Sequence, residues 1–192
     1  MSSVSTNAVI VDGWVAKSFS KSAALVIGLV GLTAVSAQIS IPLPFTPVPL
    51  TLQTFAVLVG AAALGANRAV AAQVLYFLLA AAGAPILAGG AGGLEKAIGA
   101  TGGYLIGFIF ASYVVGVIAK QGATQRIKST LVAYIVGSLV IYAFGFSWLA
   151  IFTGNGFSWA LTHGVVPFVI GDLLKAIAAG LLLPSAWKLV SK

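Results

Sequence analysis

Six apolar runs divide this chain, at about Ser22 to Ile39, Gln53 to Leu64, Arg68 to Ala82, Gly103 to Ala119, Thr130 to Phe152 and Gly164 to Trp187. No soluble domain can bury so much apolar surface around one small core. In a bilayer every backbone polar group must find its partner inside the segment, which restricts such runs to helices. Composition agrees: 60% of the 192 residues are hydrophobic, 7% are charged and the mean hydropathy is +1.10. The expectation is an all-α integral membrane protein with six transmembrane helices in one bundle. Residues 1–21 read as a cytosolic N-terminal segment, interfacial around Trp14, residues 22–187 as the bundle, and residues 188–192 as a cytosolic tail. The second and third runs are short for a full crossing, so their ends are expected to be sheltered by protein.

The connections differ in kind. Between the first two runs, "SIPLPFTPVPLT" holds four prolines from Pro42 to Pro49, which exclude helix because proline removes a donor and clashes with the preceding turn. Between the third and fourth runs lies the glycine-rich "GAPILAGGAGGLEKAIGATGG". Both are expected to be long, ordered loops that fold back onto the bundle on the extracellular side. The glycines at 89, 90, 92, 93, 102 and 103 are not followed by Gly-Lys-Ser/Thr, so they read as turns and a lid rather than a phosphate cradle.

Lysine and arginine collect on the cytoplasmic side of membrane proteins. With the N-terminus inside, that side holds Lys17, Lys21, Arg68, Lys120, Arg126, Lys128, Lys188 and Lys192, and the outside holds only Lys96 beside Glu95. Both termini are therefore expected in the cytosol of a multi-pass protein of the cell membrane. The net charge of +7 is topology signal and attraction to anionic lipid, with no nucleic-acid partner implied.

The tenth basic residue, Lys175, stands inside the sixth run three residues after Asp172. An ionisable side chain within a span costs about 2.5–3.5 kcal/mol on insertion scales, so it faces a partner or a wet cavity. The i, i+3 spacing sets both on one face. The pair reads as part of an extracellular-facing polar pocket, with a self-neutralising pair at the membrane boundary as the plainer reading. No cofactor is expected: the chain has no cysteine and a single histidine, His163, placed in a loop beside Ser158. An intramembrane enzyme fits poorly, because three acids in all cannot hold hard cations and His163 has no serine facing it across helices.

The segments "PVPLTLQT" (Pro47 to Thr54), "YFLLAAAGAPILAGGAGG" leading into "GATGGYLIGF" (Tyr76 to Phe108), and "PFVIGDLLKAIAA" (Pro167 to Ala179), in this order on a six-run layout, resemble the BioY family. These proteins are the substrate-binding S components of biotin transporters of the energy-coupling factor (ECF) type. The resemblance implies a high-affinity biotin pocket open to the outside and roofed by the two loops. It also implies ATP-driven uptake with a transmembrane coupling protein and two ATPase subunits as partners. Asp172 and Lys175 match the family's polar pair. Gln53, Gln73, Tyr76 and Tyr104 are further candidate ligand contacts, and Phe55, Tyr76 and Phe168 candidate apolar walls. The family's alanine-rich docking face appears loosely as Ala24, Gly28 and Gly31. A self-sufficient ion-coupled carrier using Asp172 for proton coupling is the alternative, since a lone intramembrane acid suits it too.

Overall fold

The computed structural model describes residues 9–15 and 18–190; Lys17, Lys192 and the side chain of Trp14 lie outside the described residues. The described helices are α1 (Asp12–Val15), α2 (Phe19–Gln38), α3 (Gln53–Leu64), α4 (Ala66–Ala81), α5 (Leu94–Ala97), α6 (Gly102–Lys120), α7 (Ile127–Thr153), α8 (Gly156–Gly164) and α9 (Val169–Val190). Four stretches are long and apolar enough to cross a membrane: α2, α6, α7, and the run from Gly156 to Val190 that joins α8 to α9 through a turn at Val166–Phe168. The helices α3 and α4 are apolar but shorter.

Six helices thus coincide with the six runs, and α8 does not. The sixth run was expected from Gly164, but Val165 and Pro167 interrupt it and the long helix starts at Val169. Proline supplies no amide donor, and the short turn it opens lets the chain change direction between two helices. His163 consequently lies in the last turn of α8 rather than in a loop. Its ring stacks on Trp159 at 4.3 Å between centroids.

Large apolar residues such as Ile27 and Val35 on α2, Leu139 and Ile151 on α7, and Ile170 and Leu174 on α9 point outward. That inversion of the soluble pattern is what a lipid solvent permits. Between helices the driving force is close packing, and small residues supply it. A Cβ on Gly103 would fall 2.2 Å from Trp148 Cβ, and one on Gly116 would fall 2.3 Å from the Ala66 nitrogen. Most of α6 is buried, with α3, α4 and α7 packed around it. α3 and α4 are joined by Gly65 alone, at φ 80°, a left-handed conformation that glycine adopts without a side-chain penalty.

The two ends of the bundle are built differently. At one end Asp12 in α1 bonds Arg68 at 3.0 Å, the Arg68 Nε donates to Ser22, and Trp187 Nε1 donates to Thr124 at 2.9 Å. At the other end the proline segment runs as an ordered loop between two short antiparallel strands, β1 (Ser40–Ile41) and β2 (Leu50–Thr51). The glycine segment folds as a set of tight turns beside it, with α5 in its second half.

Candidate functional site

Beneath the proline and glycine loops lies a small, partly open cavity of about 80 Å3. The end of the proline loop and β2 give Val48, Pro49, Leu50 and Thr51, and the glycine loop gives Leu87 and Ala88. The helices add Gln53 and Thr54 from α3, Thr101 to Phe108 on one face of α6 and its approach, Ile141 and Tyr142 from α7, and Phe168, Asp172 and Lys175 at and after the start of α9.

The polar floor is a closed network. Lys175 Nζ donates to Asp172 Oδ1, to Thr54 Oγ1 and to the Thr51 carbonyl, each at 2.8 Å. Those three bonds use all three hydrogens of an ammonium. Thr54 Oγ1 in turn donates to Asp172 Oδ1 at 3.1 Å, and the Tyr142 hydroxyl donates to Asp172 Oδ2. The side chains of Lys175 and Asp172 are 12% and 8% exposed. The pair is therefore shielded but not sealed, and α9, α3, α7 and β2 are drawn together around one ion pair.

This geometry sorts the expected residues. Asp172, Lys175, Gln53 and Tyr104 reach the cavity, and Phe168 supplies one wall. Tyr76 does not line it: its hydroxyl accepts from Gln53 Nε2 at 2.9 Å and donates to the Ile86 carbonyl at 2.7 Å, so it stands behind Gln53 and holds the glycine loop. Gln73 is not brought to the cavity either. It is fully buried and donates to Thr33 on α2 at 3.3 Å, an interhelical bond of the kind amides make in membranes. Phe55 also lies outside the lining. Tyr104 faces the cavity while its hydroxyl donates to the Gly164 carbonyl at 2.7 Å, tying α6 to the end of α8. Ala24, Gly28 and Gly31 are exposed on α2, and beyond the backbone of α2 itself nothing lies within 4 Å of a Cβ built on either glycine.

Thr51, Thr54 and Tyr142 escaped the sequence reading. Thr51 and Thr54 stand inside the quoted "PVPLTLQT", and Tyr142 follows Tyr134 and Ser138 at four-residue steps within an apolar run. That helical stripe of hydroxyls was the available signal.

The BioY family model matches residues 6–192. The chain belongs to the BioY family. It is 40% identical over 149 residues, covering 74% of this chain and 79% of that protein, to the biotin transporter BioY of Rhizobium etli. It is 40% identical over 159 residues to the probable biotin transporter BioY of Pyrococcus horikoshii, covering 83% of this chain and 91% of that protein. Its fold is similar to the crystal structure of the S-component for biotin from an ECF-type ABC transporter. The TM-score is 0.77 and the identity 25%, over 92% of this chain and 94% of that one. With four stretches long and apolar enough to span, this family member is a multi-pass membrane protein.

Proposed function

We propose that this chain captures biotin in the cavity beneath its two loops and delivers it across the membrane as the S component of an ECF transporter. The observation that carries the reading is the shielded Asp172–Lys175 pair at the base of a largely apolar cavity. Biotin offers two ureido N–H donors, one ureido carbonyl, a valerate carboxylate and an apolar bicyclic body. A carboxylate matches the donors, an ammonium matches either acceptor, and Leu87, Leu105, Phe108, Ile141 and Phe168 match the body.

The closed network states what binding must exchange. Lys175 has no spare hydrogen, so a ligand acceptor takes the place of Thr51, Thr54 or Asp172 on the ammonium. Asp172 still has lone-pair capacity for a ureido N–H, because Oδ2 accepts only from Tyr142. Gln53 and Tyr104 stand at the cavity wall as further contacts. Tyr76 and Gln73 act behind it, through Gln53 and between helices.

In this reading all six apolar helices cross or enter the bilayer, with the two loops outside and both termini in the cytosol. The exposed stripe Ala24, Gly28, Gly31 is the docking face for the transmembrane coupling protein, which brings two ATPases. Coupling partners are favoured over an ion-driven carrier because every polar contact of Asp172 is made at the loop end, among Lys175, Thr54 and Tyr142. The test is purification in detergent followed by mass spectrometry of released small molecules and titration calorimetry with biotin. Biotin released and rebound supports the reading. A protein that neither carries nor binds biotin refutes it, and uptake that survives ATP depletion but collapses with an uncoupler would replace the coupling module by an ion gradient.

A further inference from the structure

Residues 83–93 of the glycine loop carry no polar side chain; backbone bonds close the turn on itself and tie it to α4, Leu87 N–H donating to the Ala91 carbonyl at 2.9 Å and Gly93 N–H to the Ala80 carbonyl at 2.7 Å. Gly89 and Gly90 both stand at φ 69°, and a Cβ on either would meet nothing within 4 Å. Yet this turn carries Leu87 and Ala88 into the cavity wall. Among the described residues, side-chain hydrogen bonds reach residues 83–93 from two places only. Tyr76 bonds the Ile86 carbonyl, and Gln38, the last residue of α2, bonds the turn twice.

The Gln38 amide uses both of its hydrogens and its oxygen. Its Nε2 donates to the Leu87 carbonyl and to the Ala34 carbonyl one turn back on its own helix, both at 3.1 Å, and its Oε1 accepts from the Gly90 amide at 2.9 Å. A primary amide that meets one carbonyl and one N–H of a turn imitates a backbone partner, and the bond to Ala34 fixes its direction. The next residue, Ile39, accepts from the Leu52 amide at 3.1 Å, where the proline loop returns to the bundle. The C-terminal end of α2 thus holds the proline loop by backbone and the glycine loop by one side chain.

We infer that Gln38 is a positioning residue for the roof of the ligand cavity, clamping the glycine turn so that Leu87 stays over the bound molecule. The inference rests on the proposed use of the cavity for biotin. Because the clamp exists in the ligand-free protein, it is tested there first. Amide hydrogen exchange over residues 84–93 should be roughly tenfold faster in Gln38→Leu, with exchange in α6 and α7 unchanged. Gln38→Glu keeps an acceptor for Gly90 and loses the donors, so it should fall between, and it serves equally if Gln38→Leu folds poorly. Biotin dissociation, followed by chase with unlabelled ligand, should be about three- to tenfold faster in Gln38→Leu, with the association rate and melting temperature unchanged. Unchanged exchange in both variants overturns the clamp. Faster exchange with an unaltered dissociation rate overturns its role as a roof. A wild-type protein that does not retain biotin sinks the functional reading instead, while the exchange comparison still decides the clamp.

Discussion

Replacing Lys175 by methionine keeps most of the stem and deletes the ammonium, and the structure says what is left behind. Asp172, 8% exposed, loses its cation but keeps Thr54 and Tyr142 as donors, while the Thr51 carbonyl loses the ammonium as its partner. Removing one member of a buried ion pair costs about 3–5 kcal/mol, and two surviving donors place this case at the low end, about 3 kcal/mol. At about 2–4 °C per kcal/mol for a chain of this size, melting in detergent should fall by roughly 6–12 °C. Asp172→Asn should cost less, about 1–2 kcal/mol, because an oxygen can stay at Oδ1 for Lys175 and Thr54 and the Tyr142 hydroxyl can turn to accept from the new amide. The double variant carries no charge in the network, so it should be more stable than the sum of the singles by about 1–3 kcal/mol.

The same variants read the ligand. Loss of one charge-assisted bond in a shielded pocket is worth about 1.5–3 kcal/mol, so each single variant should bind biotin roughly tenfold to over a hundredfold more weakly by calorimetry. The double variant separates the two effects: its stability recovers and its affinity does not. If both singles melt as wild type and bind as wild type, the charge pair is neither a structural tie nor a ligand contact, and the reasoning about the cavity floor fails. If stability losses simply add, the five-residue network does not act as a unit.

Orientation can be read in this cysteine-free chain by single cysteines at exposed positions. An impermeant thiol reagent on intact cells should label Phe45→Cys in the proline loop and spare Gln125→Cys between α6 and α7, and the reverse pattern would invert the topology. Gly28 is exposed and a Cβ built on it meets no side chain or neighbouring element within 4 Å, so Gly28→Trp should leave biotin binding and melting intact while blocking co-purification with the coupling protein; binding lost with assembly would show that the stripe packs internally. Gly103→Ala should lower stability by about 1–3 kcal/mol, because its Cβ would sit 2.2 Å from Trp148 Cβ and 2.5 Å from the Phe144 carbonyl, atoms that cannot swing aside. Wild-type melting of that variant would mean that α6 and α7 can part at no cost.

What could be read in advance, and what could not, divides along the range of the interaction responsible. Hydropathy is a property of a contiguous run, so the six apolar helices were legible with edges a few residues off, and proline chemistry made the first loop legible as non-helical. α8 was missed because its nine residues, with Ser158, Thr162 and His163 among them, are fewer and more polar than the apolar runs on either side and so read as a connection. Asp172 and Lys175 were visible because a charge in an apolar run is costly on its own account. Their partners were not, because a threonine or tyrosine in such a run is cheap, and only the packing of α3 and α7 against α9 makes Thr54 and Tyr142 the groups that complete the carboxylate. The same reasoning explains the opposite fates of two glutamines singled out together. Gln53 and Gln73 carry identical chemistry on adjacent helices, and their roles differ by position along the bundle. Gln53 begins α3 at the loop end, where the cavity is, while Gln73 lies midway along α4 and faces α2. Gln38 was the least visible, an ordinary amide at the end of an ordinary helix, because its meaning lies wholly in a loop about fifty residues away whose turn, residues 83–93, has no polar side chain of its own.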